Sequence, residues 1–301
     1  MLLLFDIDGT LLIRGAREHA MALHDAIEEV WSIDLREVRV ETGGRTDPDI
    51  AREILTAGGV DARAIDNALA PFQEVLVARY AQLVPGDLSP CLAPGALDAL
   101  DALDADPAMR LSLVTGNVEG VARLKLRAAG IGAYFEQGQG GFGSDSADRA
   151  DLPPVARARA GRAAGSGAPW PRERTVVIGD TPRDIACARA DGVHVVAVPT
   201  GPFGTEDLAG ADVLIASLHD LPAALAGLAG GSAGDQKPSK PTCCSTATCP
   251  RRSRASSREM SQTTAISWVA SGVLVHAITS STSCGASRRS VPGTRLASST
   301  S

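Results

Sequence analysis

Aromatic residues are scarce, 3% of a 301-residue chain, and that removes the stacking platforms that single-stranded nucleic acid requires. Lysine is rarer: within residues 1–230 the only one is Lys125. Cysteine there is confined to Cys91 and Cys187, structural or incidental thiols suited to a reducing compartment. The histidines, His19, His24, His194, His219 and His276, fall at no metal-ligand spacing and receive no chemistry. No apolar run approaches the ~20 residues of a membrane span; the nearest, 265–278, is interrupted by Ser267, Ser271, Gly272 and His276. The run after Met1 is cut by Asp6 and lacks the basic start of a signal peptide. A cytoplasmic protein is expected, with neither membrane nor nucleic acid among its partners.

Charge is divided unevenly. The formal net charge is −6, yet residues 231–301 hold 9 Lys/Arg against 2 Asp/Glu, and 26 of those 71 residues are Ser or Thr. That segment lacks a sustained apolar period and is expected to be a disordered tail, unable to offset its ordering entropy. Cys243, Cys244 and Cys249 lack the paired spacing of a zinc knuckle. The composition changes directly after the helix-like LPAALAGLAG, so the tail is expected to be dispensable.

The chain as a whole is 44% hydrophobic with mean hydropathy +0.04, enough to bury a core. From Pro94 helical and strand patterns alternate: PGALDALDAL, MRLSLVTGN, VEGVARLKLRAAG, LPPVARARAGRA, TVVIGD, RDIACARADG, VHVVAVPTG and ADVLIA. Such alternation predicts a parallel sheet covered on both faces. Residues 14–90 read as helices only, with the last, ARAIDNALAPFQEVLVARYAQL, bent or broken near Pro71. The organisation expected is an α/β core over residues 1–13 and 91–230, a helical cap over 14–90, and the tail over 231–301.

The chain opens MLLLFDIDGT, an apolar strand ending in two carboxylates. Period-two alternation puts Asp6 and Asp8 on one side of the chain, where they repel unless a cation or a proton intervenes. Gly9 and Thr10 follow as a turn whose amides are expected to approach an anion. Because ligands in parallel sheets bind beyond the carboxyl ends of strands, three segments should converge: Asp6–Thr10, Thr115–Asn117 in VTGN, and 179–184 in GDTPRD.

DIDGT, VTGN and GDTPRD in this order resemble the motifs of the haloacid dehalogenase superfamily of phosphohydrolases, with a helical cap after the first strand, over roughly residues 1–228. The resemblance implies a Rossmann-like core and makes Asp6 the nucleophile and Asp8 the general acid and base. It also implies a Mg²⁺ site of Asp6, the Asp8 backbone carbonyl, Asp180 and Asp184. Hydrolysis of a phosphate monoester is among the slowest uncatalysed reactions. A carboxylate attacks phosphorus only once the phosphoryl oxygens are neutralised, which a hard dication and an aspartyl-phosphate route together provide. Thr115, with the amides of Gly116 and Asn117, would bind the transferring phosphoryl group, and repulsion from Asp6 is expected to help Asp8 keep a proton.

The family's basic residue, usually lysine, falls here on Arg149; Lys125 is the second candidate, although a lysine on a helix is more often a solvated face. In TGGRTDPD, Arg45 belongs to the cap's specificity loop by resemblance, or else to a plain interhelix loop with Asp47 capping the next helix. The implied activity is a Mg²⁺-dependent phosphatase of a small phosphorylated metabolite, of phosphoglycolate or sugar-phosphate type. Asp8 argues against the dehalogenase branch. A phosphomutase of the β-phosphoglucomutase kind shares the cap and the carboxylates, and a non-catalytic phosphate-binding or scaffold protein would keep the fold alone.

Overall fold

The computed structural model describes residues 1–15 and 17–231; the expectations for the tail and its cysteines lie outside these. Six strands form one parallel sheet: β1 (Leu2–Phe5), β2 (Arg110–Thr115), β3 (Gly141–Phe142), β4 (Thr175–Gly179), β5 (His194–Ala197) and β6 (Val213–Leu214). Their spatial order is β3-β2-β1-β4-β5-β6. All neighbours run parallel, with Phe5 in register with Leu113 on one side and Ile178 on the other. The order reverses direction between β1 and β4, where a crevice opens beyond the strand ends of a doubly wound sheet.

Alternation sorts the sheet's residues between two apolar layers. Leu3, Phe5, Leu113, Val176, Ile178 and Val196 belong to one cluster, and Leu2, Leu4, Val114, Val177, Val195 and Ala197 to the other. A strand buried on both faces therefore has no polar side, which explains the unbroken LLLF before Asp6. Helices α4 (Ala96–Asp104), α5 (Glu119–Ala128), α6 (Leu152–Ala163), α7 (Pro182–Asp191) and α8 (Leu221–Gly231) supply the covering layers. Strand β3 has no counterpart in the sequence reading, since two residues carry no periodic pattern.

The three remaining helices, α1 (Arg17–Trp31), α2 (Asp47–Ala57) and α3 (Ala62–Leu83), follow β1. The chain departs and returns at one place: Ile13 N donates to Cys91 O at 2.7 Å and Leu12 bridges Leu92. Leu23, Ile27, Ile54, Phe72 and Leu76 form an apolar cluster of their own, closed below by Val118 and Val121 of α5. Helix α3 continues through Pro71. Proline is exposed there, so the carbonyl it leaves without a partner can turn to water, while buried Phe72, Leu76 and Tyr80 hold the second half in place. Among the described residues no helix is long and apolar enough to cross a membrane.

Candidate active site

The three segments expected to meet do so at the reversal point. Asp6 follows β1, Asp180 follows β4, and Asp184 stands in the first turn of α7; their carboxylates offer oxygen atoms all within 4.8 Å of one another. Helix α7 begins with a reciprocal cap: Thr181 Oγ accepts from Asp184 N at 3.2 Å and Asp184 Oδ2 accepts from Thr181 N at 3.0 Å. GDTPRD thus fixes both of its carboxylates by local folding, Asp180 at the strand end and Asp184 through the cap. Arg149 Nη2 lies 3.2 Å from Asp6 Oδ1 and also donates to Asp184 Oδ1.

Asp180 is wedged in place. Thr10 Oγ donates to its Oδ1 at 2.9 Å. A Cβ added to Gly9 would come to 2.2 Å from Asp180 Oδ2, and one added to Gly201 to 1.8 Å, so a side chain at either position would have to displace the Asp180 carboxylate; Gly9 also has φ +89°. Oδ2 itself is buried and has no partner. Gly201 and Thr200, whose hydroxyl donates to Gly9 O, follow β5 and bring in a fourth strand end that sequence reading missed.

Three carboxylates beside one guanidinium cannot all ionise without further positive charge. Burial pushes Asp6 up to about 7, with Arg149 opposing and Asp184 and Asp8 adding to the rise. Burial pushes Asp180 up to about 8, reinforced by Asp6 and Asp184 against the Thr10 hydroxyl. An orphaned carboxylate oxygen, hard donors and uncompensated negative charge fit a hard dication such as Mg²⁺.

Asp8 behaves oppositely. Burial would raise its pKa, but the charges of Lys125 and His19 and hydrogen bonds from Lys125 and Asn117 outweigh that and hold it below the usual carboxylate range. Lys125 Nζ donates to both Asp8 oxygens, at 2.7 and 2.6 Å, and to Asn117 Oδ1 at 2.7 Å. Two expectations are corrected here. Lys125 is 0% exposed, so it is no solvated face, and repulsion from Asp6 does not leave the proton on Asp8.

The turn after β1 also differs from expectation. Gly9 N donates to Leu12 O at 2.8 Å and Thr10 N to Ile7 O at 3.3 Å; both amides are consumed in closing the turn. The two residues serve Asp180 instead. Thr115 is fully buried, and its Oγ accepts from Asn117 Nδ2 at 2.7 Å and Asn117 N at 3.3 Å. Asn117 Nδ2 donates also to Asp8 Oδ2 at 2.8 Å, so this loop is tied to the second aspartate. A Cβ on Gly116 would meet Arg45 O at 1.9 Å, which records how closely the segment before α2 rests on the loop.

That segment is anchored through residues the sequence did not single out for this role. Thr46, not Asp47, caps α2: its Oγ accepts from Asp49 N at 3.2 Å and donates to Ala147 O at 2.7 Å. Asp47 is left free to face the core. Its amide donates to Gly116 O and its Oδ2 accepts from Val118 N, both at 2.8 Å. His19, assigned no chemistry from its spacing, places Nδ1 3.1 Å from Lys125 Nζ and Nε2 3.2 Å from Asp47 Oδ1, misaligned for a hydrogen bond. Arg45 lines the same cavity, but its guanidinium is paired with Asp49 at 2.6 Å and with Glu53. The cavity of about 550 Å³ has Asp6, Asp8, Arg149 and Asp180 in its wall.

The family model described as haloacid dehalogenase-like hydrolase matches residues 3–189. Among solved structures, β-phosphoglucomutase from Clostridium difficile superposes with a TM-score of 0.54 at 15% identity, covering 77% of this chain and 97% of that one. A hydrolase from Pseudomonas syringae gives 0.51 at 20% identity, with 75% and 97% covered. A predicted phosphoglycolate phosphatase from Haemophilus somnus gives 0.50 at 19%, with 74% and 97% covered. At these identities the likeness is one of fold. Comparison with curated proteins gives no match.

Proposed function

The chain belongs to the haloacid dehalogenase-like hydrolase family, and from that premise we propose that it is a Mg²⁺-dependent phosphatase of small phosphorylated metabolites. The observation that carries this reading is the Asp6, Asp180 and Asp184 cluster within 4.8 Å, with Asp8 on the same turn. Asp6, Asp180, Asp184 and the Asp8 carbonyl would hold Mg²⁺, which when bound neutralises phosphoryl charge and lets Asp6 ionise.

An Asp6 carboxylate oxygen attacks phosphorus, and the bond to the leaving oxygen breaks as an O–P bond to Asp6 forms. Arg149, beside Asp6, keeps the attacking carboxylate oriented and offsets charge on the phosphoryl oxygens. Thr115 and the 116–117 loop receive those oxygens. Asp8 carries a proton to the departing alkoxide, then removes one from the water that hydrolyses the aspartyl phosphate. Lys125 holds Asp8 ionised before substrate enters, so the proton that Asp8 passes to the alkoxide would arrive with the substrate, as the proton of a phosphomonoester monoanion. Residues 14–90 act as the cap over this centre.

Phosphate release from p-nitrophenyl phosphate and a panel of phosphorylated metabolites with Mg²⁺, against an Asp6→Asn control, tests the reading. Release that is lost in Asp6→Asn is expected. Release surviving the substitution overturns the nucleophile. Isomerised sugar phosphate in place of free phosphate makes the protein a mutase, and binding of a phosphorylated ligand without turnover makes it a binding protein.

A further inference from the structure

The cavity that begins at the carboxylates does not end there. Beyond them its wall is formed by Leu23 of α1, Val38 and Val40 of the α1–α2 loop, and Ile50 and Ile54 of α2. Leu23, Ile50 and Ile54 are at most 7% exposed, and Val38 and Val40 pack against the same cluster. The wall is therefore an edge of the cap's own core, formed before any ligand arrives.

The polar side chains beside it are His19, His24, Arg39, Thr42 and Arg45. Arg45 is already paired with Asp49 and Glu53. Arg39 is exposed and turns Nη1 to the Arg36 carbonyl. His24 lines the cavity with Nδ1 buried and without a partner. A hexose would bring several hydroxyls to a wall whose buried, unpartnered side-chain atoms beyond the carboxylates are His24 Nδ1 and His19 Nε2, and each hydroxyl left unpaired loses binding. A carboxylate as short as that of phosphoglycolate would find no unpaired, buried cation on this wall.

We infer that the leaving group of the substrate is apolar-bodied: a phosphomonoester whose alcohol is an alkyl or aryl chain several carbons long, carrying at most two hydrogen-bonding groups, for His24 and His19. This rests on the phosphatase reading of the same cavity. It also separates the chain from the substrates named in the descriptions of its structural neighbours.

The experiment is kcat/KM with Mg²⁺ for a series of n-alkyl phosphates from ethyl to hexyl, alongside phosphoglycolate and glucose 6-phosphate. Each methylene removed from water is worth ~0.8 kcal/mol, so kcat/KM should climb about fourfold per carbon until the wall is filled. Hexyl phosphate should then exceed both polar esters by at least tenfold. The near-isosteric pair Val38→Thr and Val40→Thr should flatten the climb, lowering kcat/KM for hexyl phosphate by a larger factor than for ethyl phosphate. A flat series, or a preference for phosphoglycolate or glucose 6-phosphate, overturns this inference and leaves the phosphatase reading standing. Failure to hydrolyse every ester, p-nitrophenyl phosphate included, overturns the phosphatase reading instead.

Discussion

Lys125 Nζ sits 2.6 and 2.7 Å from the two carboxylate oxygens of Asp8. Arg149 is placed on Asp6 and Asp184. The two cations are therefore not rivals for one position. Each is matched to a different aspartate of DIDGT, Arg149 to Asp6, the proposed nucleophile, and Lys125 to Asp8, the proposed proton carrier.

Removing Lys125 should then change a pKa as well as a rate. In Lys125→Met the largest influence that lowers the Asp8 pKa is gone, and the limb of the pH–rate profile that reports Asp8 should move to higher pH. Turnover at neutral pH should fall by about 10²-fold or more, in the range of lost acid–base catalysis. Arg149→Met should lower turnover without moving that limb upward. A Lys125→Met profile superimposable on the parent, after scaling, would show that the ammonium does not govern Asp8.

Asp47 carries a second prediction. Its carboxylate closes the Val118 amide at the start of α5, and its amide closes Gly116 O, so a residue of α2 holds the loop on which Thr115 and Asn117 stand. Asp47→Ala would leave a buried amide unpaired at a cost of about 1–3 kcal/mol. It should lower Tm and raise KM for phosphorylated substrates, whereas Asp47→Asn, which retains an acceptor, should recover most of both. Equal losses in Asp47→Ala and Asp47→Asn would point to charge rather than the hydrogen bond.

How much of this was legible in sequence depended on how local the cause was. Asp6 and Asp180 directly follow strands and Asp184 stands in the first helical turn after β4, and strand ends in a parallel sheet converge whatever the intervening chain does. The capping box of α7 is likewise written within four residues. His19 and Asp47 were not legible, because their role exists only once α1 and α2 lie over α5. Neither position has a periodic or spacing signal. Lys125 was misjudged for a related reason: α5 buries Val121, Ala122, Lys125 and Leu126, so the helix's own apolar face includes the lysine. A three-and-four spacing from Val121 and Ala122 was the available clue. Gly9 and Thr10 read as anion-binding amides because the sequence does not show that Leu12 and Ile7 carbonyls take those donors first.

Close approach at Gly116 gives a third prediction with an internal control. A Cβ there meets backbone, Arg45 O at 1.9 Å, whereas one at Gly227 in α8 meets nothing within 4 Å. Gly116→Ala should therefore destabilise by about 1–3 kcal/mol through overpacking, and Gly227→Ala should stabilise by roughly 0.5–1 kcal/mol through helix propensity. Thermal melts of the two variants should diverge in sign. A Gly116→Ala protein melting with the parent would show that Arg45 and Thr46 yield without cost.

The carboxylate cluster should make stability depend on pH and on Mg²⁺ together. Asp6 and Asp180 have folded-state values of about 7 and about 8, both raised from the unfolded 3.8. The folded state thus binds protons that the unfolded state has released. Their contribution to stability is complete below pH ~4 and is lost as pH rises through 7 and 8. Asp8 and Asp212, held below the usual range, act in the opposite sense, but their window lies below pH ~4. In EDTA, Tm should fall between pH 5 and pH 8. Mg²⁺ binds the ionised carboxylates and competes with protons, so its addition should raise Tm more at pH 8 than at pH 5. Asp6→Asn removes one of the groups at fault and should flatten the EDTA curve while weakening the Mg²⁺ response. A Tm that holds constant from pH 5 to pH 8 in EDTA, or a Mg²⁺ shift equal at both ends, would mean that Asp6 and Asp180 do not share the burden of uncompensated charge.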